Sequence, residues 1–234
     1  MSEVRDRLAL ALDVGGPDDA EALARRLEPW FGIAKIGLEL YAEGGPAMIE
    51  RLRALGLAVF ADLKLYDIPN TVERAARVLG RHGVDFLNFP AAGGAAMLEA
   101  GVRGLAAGAR AGGHPPSKAL AVTVLTSDAD VSTFDARLEA ATLAGCDGVV
   151  CSAHEIASVM ERAPGLATMV PGIRLPDDAH HDQARVATPA DAISRGADWL
   201  VIGRAVTAAT DPEATAEAIT RDVADGLARR AHTR

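Results

Sequence analysis

Leu57-Ala58-Val59-Phe60-Ala61-Asp62-Leu63-Lys64-Leu65-Tyr66-Asp67-Ile68-Pro69-Asn70-Thr71 is the stretch on which the reading of this chain turns. It opens as an apolar run and then places two acids and one lysine within the six residues 62–67. Side chains on a strand alternate faces with period 2, so Asp62 and Lys64 are expected to point the same way. Asp67 falls past the predicted strand end, where the chain can turn back toward the same space. Pro69 suits the first turn of a helix, where its missing N–H costs nothing. Asn70 and Thr71 then lead into the helical run Val72-Glu73-Arg74-Ala75-Ala76. Taken alone, the charged part reads equally well as a solvated loop with an incidental ion pair. The rest of the chain decides.

Working outward, the same strand-then-helix pattern recurs. Upstream, residues 8–12 form an apolar run closed by Asp13 and a Gly15-Gly16-Pro17 turn, and 18–30 read as an amphipathic helix. An apolar run at 33–37 is broken only by Lys35, and 46–55 are helical. The opening stretch supplies a strand over 57–65 and a helix over 69–80. Downstream, strands are predicted at 84–89, 119–125, 148–151, 166–170 and 199–202. Helices follow at 95–111, 133–144, 153–163, 189–195 and 212–229.

Eight such units imply parallel strands joined by right-handed crossovers. The 234 residues lie near the ~250 typical of a (β/α)8 barrel. The competing doubly wound sheet would want a dinucleotide fingerprint after strand 1, but Asp13-Val14-Gly15-Gly16-Pro17 is not G-x-G-x-x-G. The expectation is an α/β fold, a single (β/α)8 (TIM) barrel forming one catalytic domain over 1–234.

Composition agrees with that class and narrows the function. Hydrophobic residues make up 49% and aromatics only 4%, so the core is built from Ala, Val, Leu and Ile, as in covered parallel strands. A net charge of −8 argues against a general nucleic-acid surface. The two cysteines, Cys146 and Cys151, are too few for a disulfide framework and form no CxxC pair. With no signal-like N-terminus and no apolar run near the ~20 residues of a membrane span, a cytoplasmic location is expected.

In such a barrel the active site sits at the C-terminal mouth of the strands. Asp13 ends strand 1, Lys35 lies within strand 2, and Asp62 and Lys64 fall at the end of strand 3. Lysine and aspartate are rarely buried unpaired, so Lys35, Asp62 and Lys64 should face one another there. A purely structural ion-pair network explains one such pair better than it explains four converging charges. Thr126 follows strand 5, Arg174 follows strand 7, and Gly203-Arg204 follow strand 8. The ends of strands 7 and 8 are where barrel phosphate sites are built, with glycine letting an oxygen approach the backbone and arginine supplying a planar fork. Residues 175–183 have no periodicity and read as a lid over that mouth. His180 and His181 within them read as loop residues, since adjacent histidines do not point readily to one ion. No metal site is expected.

These residues resemble the orotidine 5′-monophosphate decarboxylase family, the last enzyme of UMP synthesis. Asp62-Leu-Lys64-Leu-Tyr-Asp67-Ile-Pro-Asn-Thr71 is similar to the family signature D-x-K-x-x-D-I-P-N-T. Leu10-Ala11-Leu12-Asp13, Lys35-Ile-Gly-Leu-Glu-Leu40, Ala91-Ala-Gly-Gly94, Val122-Thr-Val-Leu-Thr126-Ser, Val170-Pro-Gly-Ile-Arg174, Asp182-Gln183 and Val201-Ile-Gly-Arg204 follow in the family's order. The D-x-K-x-x-D core alone is shared with metal-dependent sugar-phosphate decarboxylases and aldolases of the same barrel superfamily. The I-P-N-T extension, Gln183 and the Gly203-Arg204 ending are more specific.

The resemblance implies decarboxylation of orotidine 5′-monophosphate to UMP without a cofactor. Lys35, Asp62, Lys64 and Asp67 would form an alternating charged array, with Lys64 as proton donor and Asp67 offered to a partner subunit's site in a homodimer. Asp13 and Lys35 would hold the ribose hydroxyls, with Thr71 nearby and Thr126 near the pyrimidine. Arg174, Gln183, Gly203 and Arg204 would bind phosphate. Three positions depart from the usual pattern: Tyr66 and Pro90 stand where histidine is common, and Ala205 where proline usually follows Gly-Arg. A non-catalytic phosphate-ligand binder is the rival from another class, but it would have no reason to keep Asp62, Lys64 and Asp67 together.

Overall fold

The computed structural model describes residues 2–124, 131–174 and 187–233. A short helix α1 (Ser2–Arg5) precedes β1 (Leu8–Ala11) and α2 (Pro17–Leu27). Then come β2 (Ile33–Ile36), α3 (Leu38–Gly44), α4 (Ala47–Arg53), β3 (Ala58–Ala61), α5 (Pro69–Arg81), β4 (Phe86–Pro90) and α6 (Gly94–Gly112). The second half runs β5 (Lys118–Val122), α7 (Phe134–Leu143), β6 (Gly148–Val150), α8 (Ile156–Arg162), β7 (Ala167–Val170) and α9 (Pro189–Arg195). It ends with β8 (Trp199–Ile202), α10 (Arg204–Thr207) and α11 (Pro212–Thr233). The strands close in sequence order, β1 through β8, with every neighbour parallel and β8 returning to β1. The predicted (β/α)8 barrel is what the chain forms.

Register follows from a device repeated at the lower, N-terminal end of the barrel. Gly83, Gly145 and Gly196 follow helices with φ of 84°, 68° and 118°, a region glycine enters at little steric cost. Two residues later stands an aspartate that reaches sideways to the adjacent strand. Asp85 accepts from the Val59 N–H at 2.8 Å, Asp147 from Ala119 at 2.7 Å, and Asp198 from Thr168 at 2.9 Å. The motif Gly-x-Asp thus sets where three of the strands begin.

Alternation along each strand then sorts the side chains. Leu8, Leu10, Ala34, Val59, Leu87 and Leu200 face the helices and belong to the main core. Ala9, Ala11, Ile33, Phe60, Phe86, Leu120, Met169 and Val201 face into the barrel. Low in that interior, Phe86 meets Trp199 edge-on at 5.1 Å between ring centroids and Phe60 at 6.3 Å. Lys118 sits 5.9 Å from the Trp199 ring centroid. The lower end is therefore packed shut, and the space left in the barrel opens upward.

One expectation needs correction, and one element had not been expected. Strand 3 was expected over 57–65, but its ladder ends at Ala61, with one further bond from the Asp62 N–H to the Ile36 carbonyl at 2.9 Å. Lys64 has φ of 49°, which no strand tolerates, so the chain leaves the sheet before it. Residues 38–44, assigned to no element in the sequence, form α3. No helix among the described residues is long and apolar enough to cross a membrane.

Candidate active site

The cavity at the upper end holds about 340 Å³. Its floor is the last inward-facing layer of the strands, with Ala11, Phe60, Val122, Val150 and Val201 beneath. At and above that level the same alternation turns polar. Lys35 continues the inward parity of Ile33 on β2, Asp62 that of Phe60 on β3, and Asn88 that of Phe86 on β4.

The charged side chains form a row of alternating sign. The Lys35 ammonium donates to both oxygens of Asp13, at 3.0 and 3.3 Å, and lies 3.5 Å from Asp62 Oδ2. On the other side, Lys64 Nζ meets Asp62 Oδ1 at 2.5 Å. The Lys35 side chain is only 8% exposed, so it is lodged in the wall with two carboxylates compensating its charge. Gly37 makes room for this. A β-carbon there would stand 2.6 Å from Asp13 Oδ1 and 3.3 Å from Lys35 Nζ.

Burial alone would push the Asp62 carboxyl upward. The positive charges of Lys35 and Lys64, with hydrogen bonds from Lys64 and Asn88, outweigh it and hold Asp62 below its ordinary value. Asp62 is thus an ionised carboxylate in a mostly buried place, 18% exposed.

Asp62 and Lys64 were expected to meet through period-2 geometry, and they meet by another route. Lys64 adopts the left-handed conformation and its ammonium returns to Asp62, while its N–H donates to Asn88 Oδ1 at 2.8 Å. Asn88 was not singled out in the sequence. The available signal was a lone amide inside the buried run Phe86-Leu87-Asn88-Phe89. Asn88 Nδ2 donates to Asp62 Oδ1 at 2.7 Å.

Arg174 and Arg204 both line the opening with Gly172 and Gly203. Arg174 Nη1 approaches its neighbour's Ile173 carbonyl at 3.4 Å. Arg204 opens α10, and a β-carbon on Gly203 would only touch that of Ala11 at 3.6 Å, so backbone and cavity adjoin without crowding. The two arginines follow β7 and β8 and line the same cavity as the charged row.

Asp67 and Thr71 are exposed and do not line this cavity. Asp67 Oδ1 accepts from the Ile68 N–H at 2.7 Å, and Thr71 lies in the first turn of α5. Thr126, Gln183 and the rest of the 175–183 stretch, with His180 and His181, lie outside the described residues. Cys146 and Cys151 are free and buried. Burial, then Asp147, pushes the Cys146 thiol up to about 12, and burial with nearby carboxylates pushes Cys151 higher still. Neither is a thiolate near neutrality.

A closed barrel with an ion row under its mouth and paired arginines after β7 and β8 has the layout of a barrel enzyme for phosphorylated small molecules. The sequence comparisons then say which. The model of the Orotidine 5'-phosphate decarboxylase / HUMPS family matches residues 6–219, and the chain belongs to that family. It is 46% identical over 228 residues to the orotidine 5'-phosphate decarboxylase of Anaeromyxobacter dehalogenans, covering 92% of this chain and 96% of that one. To the enzyme of the same name from Moorella thermoacetica it is 43% identical, covering 94% and 92%. The crystal structure of orotidine 5'-phosphate decarboxylase from Lactobacillus acidophilus superposes with a TM-score of 0.78 at 35% identity, covering 93% of this chain and 99% of that one.

Proposed function

We infer that this chain is a carboxy-lyase that converts orotidine 5′-monophosphate to UMP in pyrimidine biosynthesis. The observation that carries the reading is the row Asp13–Lys35–Asp62–Lys64 sharing one cavity with Arg174 and Arg204. It pairs a cation poised for a developing negative charge with a separate anion grip.

In the reaction the bond from C6 of the pyrimidine to its carboxylate breaks, CO2 leaves, and the electron pair stays in the ring plane. That pair is out of conjugation with the ring, so an electron-sink cofactor would gain little, and the reading is of a cofactor-independent enzyme. A fixed cation beside C6 stabilises the charge as it forms. Lys64 is assigned that role and then gives its proton to C6. Asp62, beside the departing carboxylate, repels it in the ground state and anchors the Lys64 ammonium by their ion pair. Lys35 pairs with both Asp62 and Asp13, and Asp13 with Lys35 is assigned to the ribose hydroxyls. Arg174, Gly203, Arg204 and Gln183 are assigned to the phosphate, and Thr126 to the pyrimidine. Binding energy from that distant phosphate supports orientation at C6.

The working unit is proposed to be a cytoplasmic homodimer of single barrel domains, 1–234, with Asp67 and Thr71 completing the partner's site. Tyr66 and Ile68, 62% and 66% exposed beside Asp67, support a second copy covering this edge.

The test is turnover of orotidine 5′-monophosphate, followed by loss of its ultraviolet absorbance, in protein treated with EDTA. Full activity in EDTA and its loss in folded Lys64→Ala are expected. Activity that vanishes with EDTA points to the metal-dependent sugar-phosphate relatives, and turnover by Lys64→Ala removes the role given to it.

A further inference from the structure

Asn88 is 1% exposed, and both ends of its amide are used on the two residues at the chemical centre. Its Oδ1 accepts the Lys64 N–H at 2.8 Å, its Nδ2 donates to Asp62 Oδ1 at 2.7 Å, and its own carbonyl accepts the Leu65 N–H at 3.2 Å. Lys64 is the only described non-glycine residue with positive φ. Such a conformation costs about 1–3 kcal/mol and persists only where the surroundings over-determine it. We propose that Asn88 is a positioning residue, a clamp that fixes the Asp62 carboxylate and the left-handed Lys64 backbone together so that the Lys64 ammonium is delivered to one place.

This inference rests on the function proposed above. A merely structural asparagine in a buried strand would satisfy its amide on neighbouring backbone. Here one end holds the Lys64 backbone N–H while the other is spent on the Asp62 carboxylate, two residues apart and past the point where the β3 ladder has ended. The charged groups facing it are Asp62 and Lys64 from the chain after β3 and Lys35 from β2, with Asp13 behind Lys35. On the β5 side its partner in register is Leu120, which does not titrate. Helix α6 packs on the opposite face of β4, where Phe89 meets Gly101.

Three variants test the clamp. In Asn88→Ala, kcat should fall about 10²-fold, the scale of a small misplacement at the reacting centre, while the dissociation constant for UMP changes by less than about threefold. Asn88→Asp is isosteric. Protonated, it donates to Asp62 as the amide does, and ionised, it repels that carboxylate. Its kcat should therefore fall as pH rises through a range where the wild type does not change. Asn88→Ser, able to serve one partner but not both, should lie between. The Asp62 carboxyl, followed by carbon-13 NMR, should titrate higher in Asn88→Ala than in the wild type whether or not the protein turns over.

Wild-type kcat in folded Asn88→Ala, an unaltered pH profile in Asn88→Asp, or an unmoved Asp62 titration overturns the proposal. If Asn88→Ala does not fold, the isosteric variant and its pH profile decide. An inactive wild type with a moved Asp62 titration would refute the decarboxylase reading and leave the clamp standing.

Discussion

Lys64 joins the two things a residue can be asked to do, hold an unusual backbone and carry a charge. Asp62 beside it makes the linkage to pH explicit. Its carboxyl loses its proton more readily in the folded chain than in the unfolded one, where an ordinary aspartate titrates near 3.8. The stabilisation it gives is therefore present above that value and is lost as pH falls through the lower folded value. Denaturant melts of the wild type and Asp62→Asn should differ most near neutrality and converge below about pH 4. A gap that stays constant would contradict this. Gly37 offers a second test. Gly37→Ala puts a methyl against Asp13 and Lys35, so the fold should survive while UMP binding weakens about tenfold, a loss of ~1.4 kcal/mol by calorimetry. At this scale the sequence was legible where charge was unusual. Lys35 interrupts an apolar strand and announces itself. Asn88 is neutral and Gly37 is small, and what they do depends on neighbours brought from other strands.

Helices α5 and α6 show what packing demands of an element. A β-carbon on Gly104 would strike the Glu73 carbonyl, one on Gly108 the Arg77 carbonyl, and one on Gly80 the Leu105 carbonyl. The two helices therefore lie backbone against backbone, and the obstacles are main-chain atoms that cannot swing aside. Gly104→Ala should destabilise by about 1–3 kcal/mol, lowering Tm by roughly 2–4 °C for each kcal/mol. An unchanged Tm would mean the helices can slide apart freely. Because α5 begins at Pro69, just after Asp67, such a shift should also reach the edge proposed to meet the partner. Apolar periodicity revealed every strand and the long helices. It overextended β3, because Leu63 and Leu65 keep the alternation going after the hydrogen bonds stop. It passed over α3, whose sequence Leu-Glu-Leu-Tyr-Ala-Glu-Gly ends in glycine within two turns.

For the whole molecule, the proposed dimer gives a mixing experiment. Lys64→Ala and Asp67→Ala should each be nearly inactive, and co-refolding them should restore roughly a quarter of wild-type activity, since half the dimers are mixed and each mixed dimer has one intact site. No recovery would place Asp67 outside the partner's site. The barrel itself was readable because counting eight strand–helix units needs no knowledge of contacts. What encloses its interior was not, because Phe60, Phe86 and Trp199 are far apart in sequence and their meeting is a matter of closure. That aromatic stopper has a consequence for traffic. The barrel is a vessel with a sealed base, so the gas released in it cannot drain through the sheet. Carbon dioxide has to leave upward, past the nucleotide that was just relieved of it or after that nucleotide has gone. The layout therefore makes the mouth both inlet and exhaust, and it makes the order in which the two products depart a property of the loops above the strands.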